Sequence, residues 1–157
     1  MKLLPHLLIA LMASALLGGA SFHVRQQRAA DEAVRATHLD LMRFQQQLNL
    51  QRALNDRDHG TLGYPRDIDP AWFGEDRPIN ALSELDRPWV EIASSRDHER
   101  LHPRSLVMLD RNEAAFWYNP FRGVVRARVP AGISDQHALD LYNEVNECAL
   151  ESLFQRP

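Results

Sequence analysis

The chain has 157 residues, 45% hydrophobic and 25% charged, with a formal net charge of −3. That balance excludes a disordered chain, and the near-neutral charge excludes a global field for nucleic acid or an acidic membrane face. A single cysteine, Cys148, excludes an intramolecular disulfide; on the apolar side of a helical pattern, its expected role is a small buried hydrophobe.

Residues 3–22, LLPHLLIALMASALLGGASF, hold one ionisable side chain, His6. About 20 residues at 1.5 Å rise match a bilayer core of roughly 30 Å. Two readings compete. A cleaved signal peptide takes Lys2 as its n-region, residues 7–17 as its apolar region and Gly18-Gly19-Ala20 as its small-residue cleavage site. An uncleaved anchor instead runs on into the next helix. Residues 24–55 contain no Pro or Gly, and Ala30, Val34, Thr37, Leu41, Phe44 and Leu48 step by 4, 3, 4, 3 and 4, the period of one helix face. This continuity favours the anchor. The expected organisation is a transmembrane segment 1–23, an amphipathic helix 24–56 and a globular domain 57–157. The expected location is the inner membrane, single-pass, with the C-terminal domain periplasmic; the alternative is a secreted or periplasmic protein cleaved near Ala20.

The stretch that follows, from Asp56 to Asn80, is dense in Gly, Pro and Asp and reads as an irregular segment. Tyr64, Ile68, Trp72 and Phe73 are its apolar anchors, with a carbohydrate or peptide platform as the functional alternative for Trp72. Asp56, Asp58, Asp67, Asp69 and Asp76 crowd the same region, but no closing Glu falls at the EF-hand offset, and solvated turn residues are expected, with an irregular Ca²⁺ site as the alternative. Residues 81–85 read as a short helical turn and 89–93 as a short strand. Three runs then read as strands of an antiparallel meander: SLVMLD at 105–110, AAFWYN at 114–119 and GVVRARV at 123–129. The last alternates, which places Val125, Ala127 and Val129 inside and Arg126 and Arg128 on a solvated face; an anion site is the alternative for the two arginines. Asn119-Pro120-Phe121-Arg122-Gly123 has the Pro and Gly of a hairpin loop. Ser134 reads as an N-cap with Asp135 in the first turn of a last helix that runs to about Phe154. The fold class is α+β: a long N-terminal helix packed on a small antiparallel sheet, with a C-terminal helix.

His98-Glu99-Arg100-Leu101-His102 spells the H-E-x-x-H pattern of zinc hydrolases. That chemistry needs the two His one helical turn apart, a third ligand and a rigid, buried helix. The flanks carry no apolar stripe, Pro103 biases His102 away from helix, and Arg100 sits between the would-be ligands. A polar connector is expected, with His98 and His102 dispensable for the fold. No G-x-S-x-G, phosphate-binding glycine loop or C-x-x-C occurs. No catalytic, cofactor-binding or metal site is assigned, and no cofactor, nucleic acid or small-molecule substrate is inferred. A zinc hydrolase using His98, Glu99 and His102 is the remote alternative.

LLIALMASALLGGASFHVRQQRAADEAVRATHLDLMRFQQQLN resembles the N-terminal helix of the type IV pilin and type II secretion pseudopilin family. GYPRDIDPAWF and FWYNP…GVVRARVP are similar to the Tyr-Pro segment and terminal strands of pseudopilin-like proteins. Residues 1–7 carry no Gly, Phe or Glu of the prepilin signature. The resemblance implies a non-enzymatic structural or secretion-accessory protein. Its helix would embed in the inner membrane beside other pilin-like helices, and its domain would contact neighbouring subunits. The alternative from another class is an exported soluble binding module.

Overall fold

The computed structural model describes residues 3–54, 62–83 and 86–154, with side chains from residue 24 onward. The chain divides into two compact units, residues 1–33 and 34–157. Helix α1 spans Leu3–Leu54, and residues 24–32 have exposed side chains. Among the described residues no helix is long and apolar enough to cross a membrane. That finding corrects the expected single-pass inner-membrane location. The side chains of the apolar stretch 3–22, on which the expectation rests, lie outside the described residues, as does the small-residue site near Ala20.

In the second unit the order is β1 (Val90–Ile92), β2 (Val107–Met108), β3 (Phe116–Asn119), β4 (Val124–Ala127), β5 (Val129–Pro130) and α2 (Asp135–Asn146). The architecture is α+β, and the sheets are mixed rather than an antiparallel meander. One sheet has the order β1-β3-β4, with β1 parallel and β4 antiparallel to β3; β2 pairs parallel with β5 in a second, two-stranded sheet. The expected pairing of 105–110 with 114–119 fails because both edges of β3 are taken. Phe116 N donates to Trp89 O and Ala115 N to Pro88 O on one side, while β4 occupies the other. Glu113 adds a local obstacle, since its carboxylate accepts from the backbone N–H of Leu109 and Asp110. All four residues of β3 are buried, as befits a strand between two neighbours in a covered sheet.

The helical stripe of α1 seats the core. Val34, Thr37, Leu41, Phe44 and Leu48 are buried, as their spacing requires, whereas Ala30 is exposed. Phe44 is fully buried and lies 5.2 Å from Trp89 in a near-parallel stack, with Phe73 and Phe116 edge-on at 5.2 and 5.5 Å. Burying such a ring contributes roughly 2–3 kcal/mol, and each aromatic pair about 0.5–1.5 kcal/mol more.

Strand β4 is an edge, and side-chain amides cover it. Gln45 of α1 donates to Gly123 O (2.8 Å) and accepts from Val125 N (3.3 Å). Asn146 of α2 accepts from Ala127 N and donates to Ala127 O, both at 2.9 Å. The outward backbone groups of β4 therefore meet two amides instead of another strand. Asn80, also buried, donates to Ala115 O and Arg128 O and accepts from Leu82 N, joining the loop before β1 to the ends of β3 and β4.

Arg128 corrects the expected solvated face. It is 3% exposed and donates to Ser105 O, Ala114 O and the Glu91 carboxylate at 3.0, 3.1 and 2.6 Å. It lies where β4 passes into β5, so the simple two-faced alternation stops there. Arg126 is half-buried and donates to Leu101 O and Asn146 O. Helix α2 also departs from its expected extent. Ser134 Oγ accepts from His137 N, but the helix ends at Asn146, where Glu147 turns left-handed at φ 47°. Asn143 then gathers the chain that follows: its side chain accepts from Leu150 N and the Cys148 thiol and donates to Leu150 O. Cys148 thus lies beyond the helix, half-buried beside a small cluster of Leu106, Val129 and Tyr142.

The β3–β4 hairpin closes through Gly123, at φ +66°, whose N–H donates to Asn119 O at 2.8 Å. A Cβ there would stand 2.1 Å from the Tyr64 ring. Gly123→Ala is expected to destabilise the fold by about 2–4 kcal/mol, measured by chemical denaturation. Arg128→Met, which strands the buried Ala114 carbonyl and the half-buried Ser105 carbonyl, is expected to cost about 2–4 kcal/mol in the same measurement.

Candidate functional site

The connector between β1 and β2 holds the H-E-x-x-H residues. A 3-10 turn, Ser95–Asp97, opens it, and no α-helix follows. Ser94 and Asp97 bond to each other, and Asp97 also takes Arg100 and Arg104. Burial pushes the Asp97 carboxyl up, but the Ser94 hydroxyl and the Arg104 and Arg100 guanidiniums outweigh it and hold the group below its usual range. Buried Asn119 anchors the turn from beneath, donating to Asp97 O and Arg100 O at 2.9 and 2.8 Å.

The two histidines go to different places. His98 is exposed, with Nδ1 3.0 Å from Ser95 O and Nε2 3.6 Å from Glu99. His102 sits with Nδ1 3.0 Å from the hydroxyl of fully buried Tyr142 in α2. Tyr142 has its ionisation pushed far up by burial, so its O–H donates to a neutral imidazole. Burial and the nearby Arg126 charge lower His102 to about 4. The expectation that both histidines are dispensable therefore holds no physical support for His102, which satisfies a buried hydroxyl. Among the described residues no group of three or more His, Cys, Asp or Glu is placed to hold a metal ion.

The remaining singled-out residues divide similarly. Asp67 caps the N–H of Ile68, and Asp69 caps the 3-10 turn Pro70–Phe73 by accepting from Ala71 N at 2.8 Å. Asp56 and Asp58 lie outside the described residues. Burial raises the Cys148 thiol, the opposite of what a reactive thiolate needs. Trp117 is buried, and Trp89 lies in the Phe44 stack with Nε1 donating to Pro78 O.

Trp72 is different. It is half-buried and lines a groove of about 670 Å³ between α1 and the Pro70–Phe73 turn. Arg43, Gln46, Gln47, Asn49 and Leu50 form the α1 wall; Trp72, Phe73 and Asp76 form the other. Arg43 is pinned by Asp40 Oδ1 at 2.8 Å and Asp76 O at 2.9 Å. Asp69, Pro70 and the left-handed Gly74 (φ 59°) fix the turn, and Phe73 wedges it against Phe44 and Trp89. The glutamines of this wall were legible only as the polar side of an amphipathic helix.

His102 makes stability depend on pH in a defined window. Its folded value lies below the ordinary 6.5, so the unfolded chain binds the proton more readily. Stability is full above about 6.5 and falls as pH drops toward 4. His102→Gln is expected to flatten that slope in denaturation midpoints measured across the window, while Asp97 contributes only at lower pH.

No family model, no curated protein and no solved structure matches this chain.

Proposed function

We propose that the protein is a non-catalytic structural subunit of a pilin-like assembly, acting through contacts with other subunits. The observation that carries this reading is helix α1. Its buried stripe, from Val34 to Leu48, belongs to the domain's own core, while residues 24–32 of the same helix have exposed side chains. A helix of 52 residues is far longer than the three or four turns usual in a globular domain. The exposed stretch is also patterned by sign: Arg25 and Arg28 precede Asp31 and Glu32. A parallel neighbour staggered by about six residues, roughly 9 Å along the axis, brings the two signs together. Strand addition is disfavoured as the mode of contact at β4, whose edge Gln45 and Asn146 already occupy.

Cysteines at Arg28 and Glu32, in a Cys148→Ser background, test the contact in cells that naturally carry the protein. Oxidation is expected to join the chain to another copy or to a subunit bearing a pilin-like helix, identified by mass spectrometry. Charge reversal of Arg25 in that chain is expected to abolish the cross-link, and simultaneous reversal of Asp31, six residues on, to restore it. Absence of any such cross-link, with pili and secretion unchanged on deletion of the gene, overturns the reading.

A further inference from the structure

We propose that the groove between α1 and the Pro70–Phe73 turn is a binding site for a neutral oligosaccharide, with Trp72 as its stacking platform. The inference stands on the groove alone and does not depend on the assembly reading. At about 670 Å³ the groove falls within the size of small-molecule sites. Its chemistry is that of sugar recognition. A sugar ring offers a patch of C–H bonds on one face and hydroxyls around its rim. The first suits an aromatic face and the second suits planar side chains that both donate and accept.

The groove supplies both on rigid supports. Opposite Trp72, Gln46 and Gln47 sit on consecutive positions of α1, with Asn49 one turn along. Among the described residues the side-chain amides of Gln46 and Gln47 and the Trp72 indole N–H have no protein partner, so they remain available to a ligand. Asn49 accepts from the Tyr64 hydroxyl at 3.1 Å, which leaves its amide N–H groups to donate. Arg43 is held in place by Asp40 and by the backbone of Asp76, so its remaining N–H groups are preorganised.

Charge and backbone geometry select among occupants. The lining carries one guanidinium, Arg43, and one carboxylate, Asp76, and Arg43 is paired with Asp40, so no net positive field draws a phosphate or a nucleic acid. An extended peptide bound through its backbone needs a strand edge. The walls here are an α-helix and a 3-10 turn, neither of which presents one. Accessible amides beside an aromatic ring, with balanced charge, fit a neutral sugar best.

The test titrates the full-length chain with neutral tetrasaccharides (chitotetraose, cellotetraose and maltotetraose) by calorimetry. A polyphosphate and an extended neutral peptide run as competing arms. Saturable binding of at least one tetrasaccharide is expected. Trp72→Ala is expected to weaken it at least about tenfold and Gln47→Ala about threefold to tenfold. Gln47 makes no protein hydrogen bond, so its loss leaves the fold intact and keeps the test decisive even where Trp72→Ala unfolds. No saturable binding of any tetrasaccharide up to about 10 mM overturns the proposal. So does binding that Gln47→Ala leaves unchanged, or binding of the polyphosphate or peptide alone. Cross-linking through residues 28 and 32 is unaffected by either groove variant, which separates this site from the subunit contact.

Discussion

The fold rests on how very short strands satisfy their backbones. Strands of two to four residues form few ladder bonds, and the groups beyond each ladder must find partners or remain buried at a cost of about 1–3 kcal/mol apiece. Here the partners are side chains. Asn80, Asn119 and Asn146, with the guanidinium of Arg128, are all buried, and each bonds to at least two main-chain groups. They work as short pieces of surrogate backbone. A sheet that would be marginal as a ladder becomes one part of a polar frame, with the Phe44 aromatic cluster packed against it.

This frame explains what was legible in the sequence. Features set by local chemistry could be read: the 4-3-4-3-4 stripe of α1, the Asn-Pro…Gly loop between β3 and β4, and the Ser134 cap. Each depends on neighbours along the chain. The strand pairing depends on which edge of β3 is free, and periodicity carries no information about edges, so a local meander stood in for the parallel β1–β3 and β2–β5 ladders. Arg128 was misread because alternation assumes a strand with one wet face. The end of α2 was hidden because Glu147, not a glycine, takes the left-handed turn, and the device that stabilises it is the Asn143 side chain.

The chemistry of the candidate sites divided along the same line. H-E-x-x-H is a spacing pattern, and the backbone between its histidines is a turn tied to Asn119 and Asp97 that sends His98 to the surface and His102 against Tyr142. Trp72 read as a loop anchor, with a platform only as its alternative, and its neighbours in the groove could not be read at all. Glutamines on the polar side of an amphipathic helix read as solvation until a second element, stiffened by Asp69, Pro70 and Phe73, places an aromatic ring opposite them.

The two parallel ladders interleave along the chain and differ in the loops they must close. Strand β2 lies within the crossover between β1 and β3, yet its partner β5 comes after β4. Loop-closure entropy favours the shortest connection, which is the β3–β4 hairpin. Strand β5 and helix α2 follow that hairpin directly in the chain, whereas β1, β2 and Phe44 meet it from farther away in sequence. The core side chains of α1, Phe44 among them, reach this hairpin only across a far longer loop, so the long-range aromatic contacts carry most of the loop-closure cost of the fold.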